Sequence, residues 1–104
     1  MASHILLALA DQDRHGYAIM QEVAASTNGQ VQMGPGTLYG SVKKMLQEEL
    51  IIEVDERPDP ALDDERRRYY RMTDLGRRVA SAEALRLSSL VNVAQSKRLI
   101  GGAT

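Results

Sequence analysis

Apolar positions along the chain shift from helical to alternating spacing and back, and those shifts mark out the elements. His4 to Ala10 is short, apolar and rich in helix formers, and is predicted as a first helix. Asp11-Gln12-Asp13-Arg14 follows as a polar connector. His15-Gly16 opens a second helical segment, in which Ile19 and Val23, and Met20 and Ala24, recur at helical spacing. His15 is expected to cap or pack at the start of that helix. Asn28-Gly29 ends it, because both residues tolerate the left-handed conformation common at helix C-termini. Gln30-Val31-Gln32-Met33 alternates as one very short strand would.

The third helical segment is the best defined. Pro35 suits a first turn, where its missing N–H is not needed. On a helical wheel Leu38, Val42, Met45, Leu46 and Leu50 gather on one side, and Gly36, Gly40, Lys43, Lys44 and Gln47 on the other, with Tyr39 at the boundary. Ile51 to Glu56 then alternates as a strand, Arg57-Pro58-Asp59-Pro60 breaks it, and Ala61 to Glu65 is a polar loop. Arg66 to Met72 returns as a second strand, with Arg68, Tyr70 and Met72 on one face. Tyr17 and Tyr70 are assigned to core or rim packing. Thr73 is a predicted N-cap backed by Asp74. From there a long helix runs to about Ile100, with Leu75, Val79, Ala82, Leu90 and Val93 in one stripe that Ala80, Leu87, Val91 and Ala94 widen. Gly101 to Thr104 reads as a frayed tail.

The expected fold is therefore mainly α with a small β-hairpin: a winged helix-turn-helix plus a long C-terminal dimerisation helix. Residues 1–72 form the expected DNA-binding unit and 73–104 the dimerisation helix and tail. In a winged helix-turn-helix the third helix enters the major groove and the hairpin loop touches backbone or minor groove. Such a helix needs an anchored back and a slim front that carries hydrogen-bond donors. Gly36 and Gly40 keep this front slim, while Thr37, Tyr39, Lys43, Lys44 and Gln47 supply donors. Arg66, Arg67 and Arg68 suit phosphates through charge-assisted bonds. A helix from Thr73 to Ile100 would be about 40 Å long, more than so small a domain can cover with its own core. Dimerisation through Leu75, Val79, Ala82, Leu87, Leu90, Val91 and Ala94 is the expected consequence.

Composition narrows the alternatives. The chain has 104 residues, 43% hydrophobic and 26% charged, which bounds it to one core. Aromatics are limited to four Tyr, and there is no Cys, so thiol catalysis, thiolate metal sites and disulfides are excluded. With two His and no clustered carboxylates, neither a metal site, a cofactor site nor an enzyme is expected. The longest apolar run, Ile5 to Ala10, is far shorter than the roughly 20 residues of a membrane span, and nothing before it resembles a basic signal-peptide start. A cytoplasmic protein with no membrane partner is expected. Net charge is −1, so bulk electrostatics give DNA binding no support. Residues 73–104 carry five basic and two acidic groups, whereas residues 35–72 carry seven basic and nine acidic. Any grip on DNA must come from local clusters.

His15-Gly16-Tyr17, Gly34-Pro35-Gly36-Thr37-Leu38-Tyr39 and Arg66-Arg67-Arg68-Tyr69-Tyr70-Arg71-Met72-Thr73-Asp74-Leu75-Gly76 resemble, in order and spacing, the signature blocks of PadR-like winged-helix transcriptional regulators. The resemblance covers nearly the whole chain and points to the small subfamily with a single C-terminal helix. It implies a homodimeric repressor on an inverted-repeat operator, released by a small-molecule effector. It places Tyr39 and Lys43 near the operator, Thr37 near phosphates and Asp63–Arg68 in the wing. Gly34 stands where the family usually has Ser, and Gly40 where it often has Pro. No aromatic follows Tyr70, which argues against a stacking pocket for flat aromatic drugs. The alternative reading is a winged-helix module that docks an acidic protein partner without specific DNA binding.

Overall fold

Ile5, Ile19 and Leu38 are sealed completely from solvent, and they come from three different helices that converge on one core. The computed structural model describes residues 2–54 and 68–101. The order is α1 (Ala2–Ala8), β1 (Arg14–His15), α2 (Gly16–Ser26), α3 (Pro35–Gln47), β2 (Ile51–Val54), β3 (Tyr69–Met72) and α4 (Asp74–Ser96). Leu6, Leu9, Val23, Met33, Val42, Met45, Leu50, Ile51 and Tyr70 complete the core. The architecture is the expected helical one with a small sheet.

The sheet is three-stranded and antiparallel, in the order β1-β3-β2. Ile51 faces Met72 and Glu53 faces Tyr70, so these pairs share the side that carries the buried Ile51 and Tyr70. Ile52, Val54, Tyr69 and Arg71 lie on the outer side, and His15, opposite Tyr69, joins them.

Strand β1 lies where a polar connector was expected. Two residues carry no periodicity, and side-chain bonds, one of them long-range, hold the segment. Arg71 grips the Asp13 carboxylate with Nε at 3.1 Å and a terminal nitrogen at 2.8 Å, and Arg14 Nε donates to the Ala8 carbonyl at 2.7 Å. Residues Gln30–Met33, by contrast, form no strand. Asn28 and Gly29 turn the chain with φ of 53° and 78°. The Thr27 hydroxyl then donates to the Val23 carbonyl at 2.8 Å and accepts from the Val31 N–H at 3.0 Å. That bond claims a donor a ladder would need, and it tucks Met33 into the core.

Helix boundaries also move. The first helix covers Ala2–Ala8 rather than His4–Ala10. The fourth ends at Ser96, not near Ile100, because Arg98 turns left-handed (φ 59°) and the Leu99 N–H closes back on the Ala94 carbonyl at 2.9 Å. Its 23 residues span about 34 Å. His15 caps α2 as expected: its Nδ1 accepts from the Ala18 N–H at 3.2 Å. The end of the first expected hairpin strand (Asp55 and Glu56), the proline-containing loop and the start of the second (Arg66 and Arg67) lie outside the described residues.

Thr73 joins α4 to the end of α3. Its hydroxyl accepts from the Gly76 N–H at 3.0 Å and donates to the Glu49 carbonyl at 2.7 Å, while its N–H donates to the Leu50 carbonyl at 3.1 Å. Gly76 lies directly on that Leu50 carbonyl. A Cβ there would overlap the carbonyl oxygen and sit 3.0 Å from Met72 Cγ. The first half of α4 returns along α1, where Ala80 packs on the core and Arg77 donates to the Ala10 carbonyl at 3.1 Å.

Candidate nucleic-acid interface

Helix α3 carries Leu38, Val42 and Met45 on its buried side, all at most 2% exposed, which fixes its rotation against the core. Gly36, Thr37, Tyr39, Gly40, Lys43, Lys44 and Gln47 are all exposed on the other side. The sequence-predicted front is therefore one continuous surface. Beyond the adjacent helix backbone, no atom of the described residues lies within 4 Å of where a Cβ on Gly36 or Gly40 would stand. Each glycine costs a helix about 1 kcal/mol relative to Ala, and nothing among the described residues requires the missing side chain. The bareness of this face suits close approach from outside.

The cations differ in how they are engaged. Lys44 Nζ lies 3.9 Å from Glu48, and Arg68 Nε lies 3.2 Å from Glu53 across the hairpin. Lys43 makes no ion pair among the described residues. It is therefore the α3 cation most available to an external anion.

Tyr39 leans across to the start of α2. A Cβ on Gly16 would overlap its hydroxyl and stand 2.9 Å from its Cζ and 3.1 Å from Leu38 Cδ2. The His15-Gly16-Tyr17 block and the Thr37-Leu38-Tyr39 block are thus the two halves of one contact. Burial, then the nearby negative charge of Glu53, pushes the Tyr70 hydroxyl above its ordinary pKa, so it stays protonated in the core beside Tyr39. Tyr17 departs from expectation. It is 61% exposed and stacks on His15, whose ring meets Tyr69 edge-on at 5.4 Å. Sequence reasoning assigned it to packing because a Tyr at the start of an amphipathic helix gives no signal about which way it faces.

On α4, Leu75, Val79, Ala82, Leu87, Leu90 and Val91 are exposed, and Ala94 is half-buried. Leu90 is 55% exposed. Leu87 also borders an apolar hollow of about 70 Å³ against Leu7 of α1. Among the described residues no helix is long and apolar enough to cross a membrane.

Residues 5–82 match the Transcriptional regulator PadR-like family. An uncharacterized protein X from Lysinibacillus sphaericus is 35% identical over 75 residues, covering 72% of this chain and 66% of its own length. A 37.1 kDa protein of a Streptomyces fradiae transposon is 30% identical over 86 residues, covering 83% of this chain and 22% of its own. The chain thus spans less than two thirds of either relative. Among solved structures, a PadR family transcription regulator from Clostridium difficile superposes with a TM-score of 0.74 over 91% of this chain and 94% of its own, at 21% identity. A transcriptional regulator from Clostridium thermocellum gives 0.74 over 92% and 90%, also at 21% identity. These two likenesses show the fold.

Proposed function

From a chain that belongs to the PadR-like family of transcriptional regulators, we propose a cytoplasmic homodimeric repressor that binds an inverted-repeat DNA operator through the front of α3. The observation that carries the reading is the bare, exposed helix face, held by a buried back, with Lys43 at its middle making no ion pair among the described residues. Thr37, Tyr39, Gly40, Lys43, Lys44 and Gln47 form the groove-facing set, and Arg66, Arg67 and Arg68 the wing set. A dimer through α4 would present two α3 helices to successive major grooves near 34 Å apart, hence the inverted repeat. A small effector seated between the halves would change that spacing and release DNA. Effector-bound and DNA-bound crystals with the same α3 separation would sink that part of the proposal.

Lys43→Ala tests the interface. It is expected to weaken binding to an operator selected from a random DNA pool by about 1–3 kcal/mol with the fold intact. Unchanged affinity removes Lys43 from the site. Gly40→Ala separates fold from function in a second way. With open space around the new methyl, the helix should gain about 0.5–1 kcal/mol, while operator affinity falls because the methyl stands where the groove must approach. A variant that binds as tightly as the parent would show that the bare face is not used.

A second reading is favoured by the Lys44–Glu48 and Arg68–Glu53 pairs, which return part of the basic charge to the chain itself. On that reading the face docks a protein. Salt titration discriminates: operator binding predicts affinity falling steeply with salt and a surviving preference for one sequence, whereas docking predicts no sequence preference.

A further inference from the structure

We propose that Glu83 and Arg86 stand at the centre of an antiparallel α4–α4 contact between two copies of this chain, where the two pairs close a charged ring that selects helix orientation and partner. The proposal rests on the α4 dimer reading above and deepens it. Arg86 Nε donates to one Glu83 carboxylate oxygen at 3.0 Å and a terminal nitrogen donates to the other at 2.6 Å. This hydrogen bond holds the Glu83 carboxyl below its ordinary pKa, so the pair stays charged.

Its place on the helix is what requires explanation. The polar back of α4 carries Ser81, Ser88 and Asn92, where a solvated pair would ordinarily sit. Arg86 instead lies one turn after Ala82 and one turn before Leu90, and Glu83 one turn after Val79 and one before Leu87. Both charges interrupt the unpartnered apolar stripe. A pair covered there without further partners would lose its hydration for nothing.

Symmetry supplies those partners. With its widening residues the stripe runs from Leu75 to Ala94, and its midpoint falls between Ala84 and Leu85. When two such stripes overlap fully in antiparallel, Leu75 of one copy meets the Ala94 position of the other, and Val79 the Leu90 position. Arg86 then falls opposite the Glu83 position of the second copy, twice over. In a parallel pair of the same register, Arg86 would face Arg86 and Glu83 would face Glu83. Charge complementarity therefore favours a second copy running antiparallel, and it disfavours a related chain whose own charges are differently placed.

The test exchanges the charges. The double variant E83R/R86E is expected to dimerise within about threefold of wild type, whereas E83R or R86E alone should weaken self-association about tenfold or more, since like charges then meet across the axis. Circular dichroism should show unchanged helicity in all three. Mixed with wild type, the double variant should form heterodimers at least about fivefold below the statistical half share in native mass spectra, because every cross-axis contact is then between like charges. A statistical heterodimer share, or single reversals that dimerise like wild type, overturns the ring. If Leu90→Asp leaves the dimer intact, the α4 interface itself is wrong and the ring falls with it. If Leu90→Asp dissociates the dimer while heterodimers form statistically, the ring alone falls.

Discussion

Leu90→Asp is expected to turn the dimer into monomers and to lower operator affinity by about a hundredfold or more, the usual scale when two linked half-site contacts become independent. Leu90 is 55% exposed and belongs to no buried cluster of its own chain. A carboxylate there costs the monomer little. In the dimer it would bury an unpaired charge, which is far more expensive than the lost contact. Sedimentation should show a single monomeric species, and the melting curve should keep the cooperativity of the helix-turn-helix core. Binding to an isolated half-site should be nearly unchanged, since α3 and its backing are untouched. A dimeric Leu90→Asp chain, or one that binds the full operator like wild type, would reject α4 as the means of dimerisation.

The largest effect on stability is expected at Gly76. An alanine methyl there would occupy the Leu50 carbonyl oxygen, which is backbone and already accepts from Thr73. The first turn of α4 must move away, and the Thr73 cap moves with it. Overpacking of this kind costs about 1–3 kcal/mol and a lost cap about 1 kcal/mol, against roughly 1 kcal/mol returned by replacing a helical glycine. The net loss is about 1–3 kcal/mol, a drop in melting temperature on the order of 5–20 °C for a domain of this size. Gly40→Ala, the same chemical change on a face with open space, should raise the melting temperature by a few degrees. Thermal melts of the two variants side by side check the packing: if both shift upward, Gly76 does not lie on the Leu50 carbonyl.

These two glycines illustrate how far the motifs could be read. The sequence places Gly16, Gly40 and Gly76 in recognisable blocks but does not distinguish their reasons. Gly16 gives way to Tyr39, and Gly76 to a carbonyl at the end of α3. Gly40 gives way to nothing among the described residues. The reason is a contact distance in two cases and an empty space in the third, and neither is visible along a single chain.

Periodicity by itself determined the helices, the core face of α3, the returning strand and the apolar stripe of α4, and residue type added the Thr73 cap. Those are local properties, set by side-chain spacing against a fixed helical or extended repeat. The folded chain decided what no repeat encodes, whether the partner lies a few residues away or far along the chain. It placed β1 in the sheet through Arg71 and Asp13, and it denied Gln30–Met33 a strand by giving the Val31 N–H to Thr27. It also turned Tyr17 outward, drew Arg68 toward Glu53 across the hairpin, and left Lys43 without an ion pair among the described residues. A two-residue strand or an ion pair across a hairpin carries no period, so only the folded chain can choose it.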